Sequence, residues 1–206
     1  MRRIPLFPTL IVAIAVATMV GLGIWQLRRA EWKEGMLASY RHAAKAPALH
    51  GIPPGVTPDD LAFRRSHVDC RITTAPILLG GGDGEGRRGF RTIVGCALVD
   101  GRLIMVDLGL SALGTKPDAP PPGQRIVGDG LLVPDDVLAR RVLGDASGLP
   151  VLLVLDRAVP GLTPSVPPAI ETIPNNHRSY AVQWFLFAAV AIVIYGLALR
   201  KRRSVR

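Results

Sequence analysis

Acidic residues are absent from both ends of the 206-residue chain, since all 16 Asp and Glu lie between Glu31 and Glu171. Two stretches, residues 6–25 and 181–199, also lack every charged side chain. At about 1.5 Å rise per residue, each stretch makes a helix of about 30 Å, the thickness of the apolar part of a bilayer. The sequence therefore predicts two membrane-spanning helices, which we place at residues 6–27 and 179–199.

The basic residues indicate membrane topology and not nucleic-acid binding, although the formal net charge is +9. Ten of the 25 Lys and Arg flank the apolar runs, and the other 15 share the middle of the chain with all 16 acidic residues. The block at residues 200–206 favours a cytoplasmic C-terminus. Two spans then place both termini (1–5 and 200–206) in the cytoplasm and residues 28–178 outside. Arg28 and Arg29 oppose this orientation, but the C-terminal block is larger.

The first apolar run has an alternative interpretation as a cleaved signal peptide, with a cleavage site at residues 15–17. The run continues to Trp25, and Pro5 and Pro8 interrupt its start, which favours a retained helix. No amphipathic leader rich in Arg and Ser precedes it, so an organelle transit peptide is not indicated. We predict a multi-pass protein of the bacterial inner membrane.

Between the spans, the pattern predicts a mainly antiparallel β domain with one short helix. Asp100 and Gly101 form a two-residue hairpin signal between two apolar stretches. Asp135 or Asp136 opens the short helix. The predicted strands are 63–72, 76–79, 90–99, 102–110, 124–133 and 151–155, and the predicted helix is 137–143.

Two segments rich in proline and glycine border this domain. Residues 46–60 predict a linker after the first helix. Residues 158–176 predict an extended approach to the second membrane helix. The fold class is therefore two transmembrane helices that bracket an extracytoplasmic, β-rich domain.

One glycine motif in the β domain has the spacing of a dinucleotide-binding loop but is not followed by a predicted helix. Residues 84–89 spell G-x-G-x-x-G, which needs a following helix to present its N-terminus to the pyrophosphate. The sequence that follows has β character. We predict a hairpin loop at this position.

Cysteine is scarce, and its placement limits the chemistry of the domain. Cys70 and Cys96 lie in predicted strands outside the cytoplasm, where they could pair or remain buried thiols with a structural role. Copper delivery needs closely spaced thiols or Met and His clusters, so a copper chaperone is a minor alternative. Ser66, His67 and Asp69 are near neighbours on one strand, which does not make a converging triad. We do not predict an enzyme.

The outer end of the second predicted helix is rich in groups that can bind a ligand. Asn175 or Asn176 can cap this helix. The opposite directions of the two helices bring part of the first helix to the same depth. Interfacial anchoring without any ligand is the alternative explanation for such residues. The residues concerned are Asn175, Asn176, His177, Arg178, Tyr180 and Trp184 on the second helix, and Trp25 and Gln26 on the first.

Small residues recur at helical spacing on both predicted spans. We predict that these two faces pack together or hold a flat apolar ligand. Ala and Gly are also frequent in membrane helices for other reasons. The faces consist of Ala13, Ala17, Gly21 and Trp25 on the first helix, and of His177, Ala181, Trp184, Ala188, Ala191 and Tyr195 on the second.

Two motifs resemble the surfeit locus protein one family, whose members are assembly factors for cytochrome c oxidase. One is NNHRSYAVQWF, at residues 175–185, and the other is GIWQLRRAEWK, at residues 23–33. The first span of that family typically ends in Gly-x-Trp-Gln-x-x-Arg. Here Gly23, Trp25 and Gln26 fill those positions, followed by Arg28 or Arg29.

The resemblance is looser in the β domain. The strand after the hairpin often ends in an Arg-Gly-Trp turn in the family. This chain keeps Gly109 but has Leu108 and Leu110 in place of the Arg and Trp, which indicates a divergent member and weakens any role tied to the two missing residues.

The resemblance implies that haem a is the cargo, subunit I of the oxidase is the partner that receives it, and haem a synthase is its source. His177 would be the axial ligand through a neutral imidazole. Trp25 and Trp184 would border the porphyrin, and guanidinium groups would pair its propionates. The expected cofactor-binding residues are His177, Trp25, Trp184, Arg178, Arg28 (or Arg29) and Gln26.

Two other functions remain open from the sequence. One is a scaffold without a cofactor, which would dock its two spans on oxidase helices and stabilise an assembly intermediate. The other is a two-span extracytoplasmic sensor, which is disfavoured because no cytoplasmic domain is predicted that would receive its signal.

Overall fold

The computed structural model describes residues 5–115, 117–144 and 148–204. Most of the predicted N-terminal tail, including Arg2 and Arg3, and the last two residues of the basic tail lie outside these ranges. The chain divides into two compact units. One consists of Met1–Ala38 with Ile173–Arg206, and the other is Ser39–Thr172.

The first unit contains most of α1 (Leu6–Lys45), as far as Ala38, and the helix α4 (His177–Ser204). Both are long and apolar enough to cross a membrane, each with a mean hydropathy of 2.2 over its most apolar window. The first turn of α1 contains Pro8, where a missing N–H costs little because no helical acceptor precedes it. Beyond residue 27, the predicted end of the first span, α1 continues without interruption to Lys45.

The two helices pack through faces that the sequence predicted correctly for α4 and wrongly for α1. On α4, Ala181 and Ala188 are 0% and 3% exposed, as the small-residue pattern indicates. On α1, Gly21 has no neighbour within 4 Å of the position of an added Cβ, whereas such an atom on Gly23 would lie 2.6 Å from the Phe185 ring. The contact face of α1 therefore includes Gly23.

This correction has a geometric reason. Ala13, Ala17 and Gly21 are exposed, and Trp25, next in that series, is 56% exposed. Their four-residue spacing advances by about 400° per step, so the series winds around a helix of 3.6 residues per turn. The more buried series on α1 alternates steps of three and four residues and consists of Thr9, Val12, Val16, Met19, Gly23, Gln26 and Ala30.

The second unit is a β barrel with short helices. The strand at residues 65–72 alternates buried and exposed residues, which is the pattern of a strand with one face on a core, whereas the strands at 88–98, 103–112 and 148–155 contain continuous buried runs. The strands are β1 (Leu49–His50), β2 (Arg65–Ile72), β3 (Ile77–Gly82), β4 (Arg88–Leu98), β5 (Leu103–Ala112), β6 (Arg125–Pro134) and β7 (Gly148–Leu155). The helices are α2 (Pro58–Leu61), α3 (Asp136–Leu143) and a 3₁₀ turn at Ile170–Thr172.

Five strands close on themselves in the order β2-β4-β5-β7-β6, because β2 pairs with both β4 and β6. All these pairings are antiparallel except β5–β7, which is parallel. This is the arrangement of a small Greek-key barrel of the OB type. β1 and β3 are added outside the closed ring, on β2 and β4.

A disulfide between Cys70 and Cys96 joins the two strands at the seam where the barrel closes. The β2–β4 pairing is short and involves only Cys70–Leu98, Arg71–Ala97 and Ile72–Cys96. Both cysteines are buried, at 3% and 0% exposure. The structure thus resolves the open alternative of paired or free thiols in favour of a pair.

Helix α3 packs on the outside of the barrel and forms a second apolar core. Its N-cap is Asp135, whose carboxylate accepts the Leu138 N–H at 2.8 Å. Val142 and Leu143 pack on Met105 and neighbouring strand residues. The predicted helix is confirmed, and Asp135 is the capping residue of the two candidates.

The remaining sequence predictions for this unit are largely confirmed. The glycine motif at residues 84–89 connects β3 to β4 as a hairpin, with Gly86 at a φ of 79° and the Asp83 carboxylate accepting two backbone N–H groups. The Asp100-Gly101 turn joins β4 to β5. The predicted linker at 46–60 is not structureless, because it contains β1 and the capped start of α2.

Candidate functional site

His177 and Gln26 meet between the two long helices. His177 is the first residue of α4, and its Nδ1 lies 2.7 Å from Oε1 of Gln26. A carbonyl oxygen can only accept a hydrogen bond, so Nδ1 carries the proton in this contact. In a neutral imidazole the lone pair then resides on Nε2.

This contact gives His177 the arrangement that metal-ligating histidines commonly have. A histidine that ligates a metal almost always donates its other ring N–H to an oxygen, which fixes the tautomer and the orientation of the ring. Gln26 occupies that supporting position here. Within the part of the chain that the structure describes, no three His, Cys, Asp or Glu side chains cluster as metal ligands. A single imidazole can bind a haem iron through one nitrogen but does not make a closed tetrahedral site.

Arg178 follows His177 and forms a two-point ion pair with Glu34 of α1. Nε and Nη2 each lie 2.9 Å from a separate carboxylate oxygen. The side chains are 68% and 43% exposed, so the pair contributes little to stability. The carboxylate also offsets the unfavourable placement of a cation at a helix N-terminus. A ligand carboxylate at Arg178 would have to compete with Glu34.

The two tryptophans predicted to border a ligand lie in different settings. Trp184 is half-buried on the α4 face that includes His177, and its ring meets Phe187 edge-on at 6.1 Å. Trp25 is 56% exposed. Consecutive residues on an α-helix are about 100° apart, so Trp25 shares the depth of Gln26 but not its face. Arg28 is likewise exposed.

The structure therefore brings together part of the predicted set. His177 and Gln26 are in direct contact, with Trp184 on the same face of α4 and Arg178 beside it. Trp25 and Arg28 lie on an outward face of α1, where Arg29 stacks over Trp32 at 3.9 Å. Glu34 was not predicted from the sequence, although its spacing of eight residues from Gln26 places both on a similar face of the helix.

A third polar contact between α1 and α4 lies near the start of α1, away from His177. The Thr9 hydroxyl donates to the Pro5 carbonyl at 2.7 Å, so the Tyr195 hydroxyl, 2.5 Å away, donates to Thr9. Thr9 precedes Gln26 by 17 residues and Tyr195 follows His177 by 18, or about 26 Å along each helix. Polar contacts thus fix the register at both ends of an apolar interface. The length of this interface is similar to the thickness of the apolar core of a bilayer.

In the barrel, Ser66, His67 and Asp69 do not converge. Ser66 is buried and donates to the Gly51 carbonyl, whereas the His67 ring lies 3.0 Å from Asp129. Asp69 pairs with Arg125, and the guanidinium holds the pKa of this carboxyl below its ordinary value. His67 and Asp69 thus each pair with a side chain of β6 on the surface, while Ser66 faces the interior.

Asp107 is a buried carboxylate with its own network. Arg91 Nε donates to Oδ2 at 2.6 Å, and Nη2 lies equally close to that oxygen but outside hydrogen-bond geometry. Oδ1 accepts the Gly109 N–H at 3.0 Å and the Ser165 hydroxyl at 3.1 Å. Burial raises the pKa of Asp107, and the Arg91 guanidinium opposes that rise. This network ties the loop after β7 to β5, and the Asp107 side chain is 0% exposed.

The fold and the site define a class of membrane protein in which two apolar helices bracket a β barrel and present one histidine between them. The family model of the SURF1 family matches residues 13–189, and the chain belongs to that family. It is a family of cytochrome c oxidase assembly factors and not a known family of enzymes. A comparison with curated proteins gives no match.

Proposed function

We propose that this protein assists cytochrome c oxidase assembly by holding haem a at His177 and passing it to subunit I of the oxidase. Haem a synthase would supply the haem. Family membership supports the role in oxidase assembly. The observation that carries the haem assignment is the Gln26–His177 contact, because it leaves Nε2 as a lone-pair donor.

The proposed location is the bacterial inner membrane, with both termini in the cytoplasm and the barrel on the outer side. The Cys70–Cys96 disulfide supports this orientation, since disulfides persist in oxidising compartments and are rare in the cytoplasm. The basic residues that follow the second apolar run support it independently.

Haem a would supply an iron with an axial position open to a protein nitrogen. His177 would provide that nitrogen, and Gln26 would keep the ring oriented and Nδ1 protonated. Trp184 would give apolar contact on the same helix face. A cargo held by one protein ligand can be released by breaking one coordination bond, which suits a carrier. To form an ion pair with a propionate, Arg178 would have to break its ion pair with Glu34.

The second candidate is a scaffold without cofactor, and one observation favours it. Two of the six residues expected to bind haem, Trp25 and Arg28, lie on the exposed outward face of α1. Exposed aromatic and basic side chains on a membrane helix suit the membrane surface or a neighbouring protein as well as a cofactor.

A visible spectrum distinguishes the two functions. The protein is purified from cells that make haem a, in parallel with His177→Ala. The carrier function predicts a haem a spectrum for the wild type and its loss in the variant. A wild type without haem would favour the scaffold, and equal haem in both proteins would show that His177 is not the ligand.

The role of Gln26 is tested with a matched pair of substitutions. Gln26→Leu removes the acceptor for Nδ1, and we expect haem affinity to fall by about 10- to 100-fold, the usual effect of losing such a support. Gln183→Leu makes the same chemical change at an exposed position of α4 and is expected to leave haem binding unchanged. Equal haem content in the two variants would contradict the positioning role.

A further inference from the structure

The added strand β3 leaves a free backbone edge on the barrel unit. In the β3–β4 hairpin, the Asp83 N–H donates to the Arg87 carbonyl. Along an antiparallel strand, every second residue directs its backbone N–H and C=O away from the paired strand. The backbone groups of Gly82, Gly80 and Leu78 therefore point away from β4. The Gly82 carbonyl accepts the Val166 N–H at 3.2 Å. Among the residues described, nothing pairs with the outward groups of Leu78 and Gly80.

Natural edge strands are usually protected from pairing with other chains, and β3 is not. Charged side chains, proline, bulges or a covering loop are the common protections. The β3 sequence, ILLGGG, has no charge and no proline. Among the residues that the structure describes, the one loop hydrogen bond to the outward side of β3 is that of Val166 to Gly82.

No contact among the described residues requires glycine at position 80. Its backbone is not in the left-handed region, and an added Cβ would meet nothing within 4 Å. Gly81, by contrast, would bring a Cβ to 2.6 Å from the Arg91 side chain. Glycine weakens a strand, and where no internal contact requires it, it often marks the close approach of another backbone.

A shallow cavity of about 530 Å³ lies on the β3–β4 hairpin beside this edge, and its lining indicates what a strand added there would meet. Gly80 and Gly82 line it together with Phe90 and Leu113, which are 38% and 63% exposed. Arg88 also lines it and has no hydrogen bond or ion pair with the described part of the chain.

We propose that the β3 edge binds an extended segment of a partner protein as an added strand, with a small side chain over Gly80 and a carboxylate against Arg88. A second copy of this chain fits less well. The acidic residues near the edge, Asp83 and Glu85, are already paired with Arg87, so a second edge would offer Arg88 no free carboxylate. This inference does not depend on haem.

The test uses the full chain in lipid nanodiscs and two short synthetic peptides. Both alternate valine and glycine, and one carries a glutamate where the other carries a lysine. We expect the glutamate peptide to bind at least about tenfold more tightly and to slow hydrogen exchange at the Leu78 and Gly80 amides. Arg88→Glu should reverse the preference, and Arg140→Glu, at an exposed position of α3, should not change it.

A further variant separates binding from folding. Gly80→Val is expected to fold, because its side chain meets no neighbour, and to lose the peptide. The proposal is overturned if neither peptide slows exchange at the two amides or if Arg88→Glu leaves the preference unchanged. It is also overturned if the amides become protected with rising protein concentration alone, which would indicate pairing between copies.

Discussion

At the scale of single residues, one hydrogen bond decides what His177 can do. Gln26 accepts from Nδ1 and leaves Nε2 as the nitrogen with a lone pair. The family motifs identified both residues and their common depth. They did not show which side of α1 carries Trp25. Residue number sets the depth of a side chain along a helix, but the direction in which it points depends on how the whole helix is rotated against its neighbour.

A second prediction at this scale concerns the buried pair of Arg91 and Asp107, whose side chains are 18% and 0% exposed. Arg91→Met removes the guanidinium and leaves an uncompensated buried carboxylate. We expect a loss of about 3–5 kcal/mol of unfolding free energy at neutral pH. Arg88→Met, on the same strand but without a partner, is the control and is expected to change stability little.

The pH dependence of that loss follows from the raised pKa of Asp107. The folded protein holds a proton on this group at pH values where the unfolded chain, with an ordinary pKa of 3.8, has released it. Stability is therefore greatest below that value and falls as pH rises through the raised pKa. Without Arg91 the pKa rises further, so the gap between wild type and Arg91→Met should widen with pH. A gap that narrows in thermal unfolding between acid and neutral pH would contradict this.

At the scale of elements, the contact between α1 and α4 is set by one close approach. Phe185 lies against Gly23 where no side chain would fit, and the polar pairs at both ends fix the register. The sequence predicted the α4 face correctly because its small residues follow the true helical period. It predicted the α1 face wrongly because small size alone does not show which glycine faces the neighbour.

Two glycines on α1 test this register. Gly23→Leu should separate the helices locally and weaken their association by about 1–3 kcal/mol, the usual cost of overpacking. Gly21→Leu, which points to open space, should have almost no effect, although the small-residue series alone predicted the opposite. Thermal stability in detergent and oxidase yield in cells measure both. Equal losses in the two variants would contradict the observed face.

At the scale of the whole molecule, the sequence predicted two apolar helices around a β-rich domain, and the structure confirms that class. Alternation and short apolar runs located the strands, and Asp100-Gly101 located a hairpin. These local patterns could not show that β2 pairs with β4 as well as β6, because this closure joins residues far apart in the chain. The disulfide depends on the same closure, so the cysteines alone left pairing open.

The disulfide allows a test of the closed barrel and of its location outside the cytoplasm. It links positions 26 residues apart, and a loop of that length is expected to contribute about 3.5 kcal/mol. Cys70→Ala with Cys96→Ala should lower the denaturation midpoint accordingly, and reduction of the wild type should match it. Rapid alkylation of either cysteine in intact cells without reductant would contradict an oxidised barrel outside the cytoplasm.

The central claim is that the imidazole of His177 binds the haem iron, and chemical rescue tests it most directly. His177→Gly leaves space for a free imidazole in the place of the side chain. We predict that the variant purified from cells making haem a lacks the haem spectrum and regains it when imidazole is added. A variant that keeps its haem, or one that folds but is not rescued by imidazole, would contradict ligation by His177.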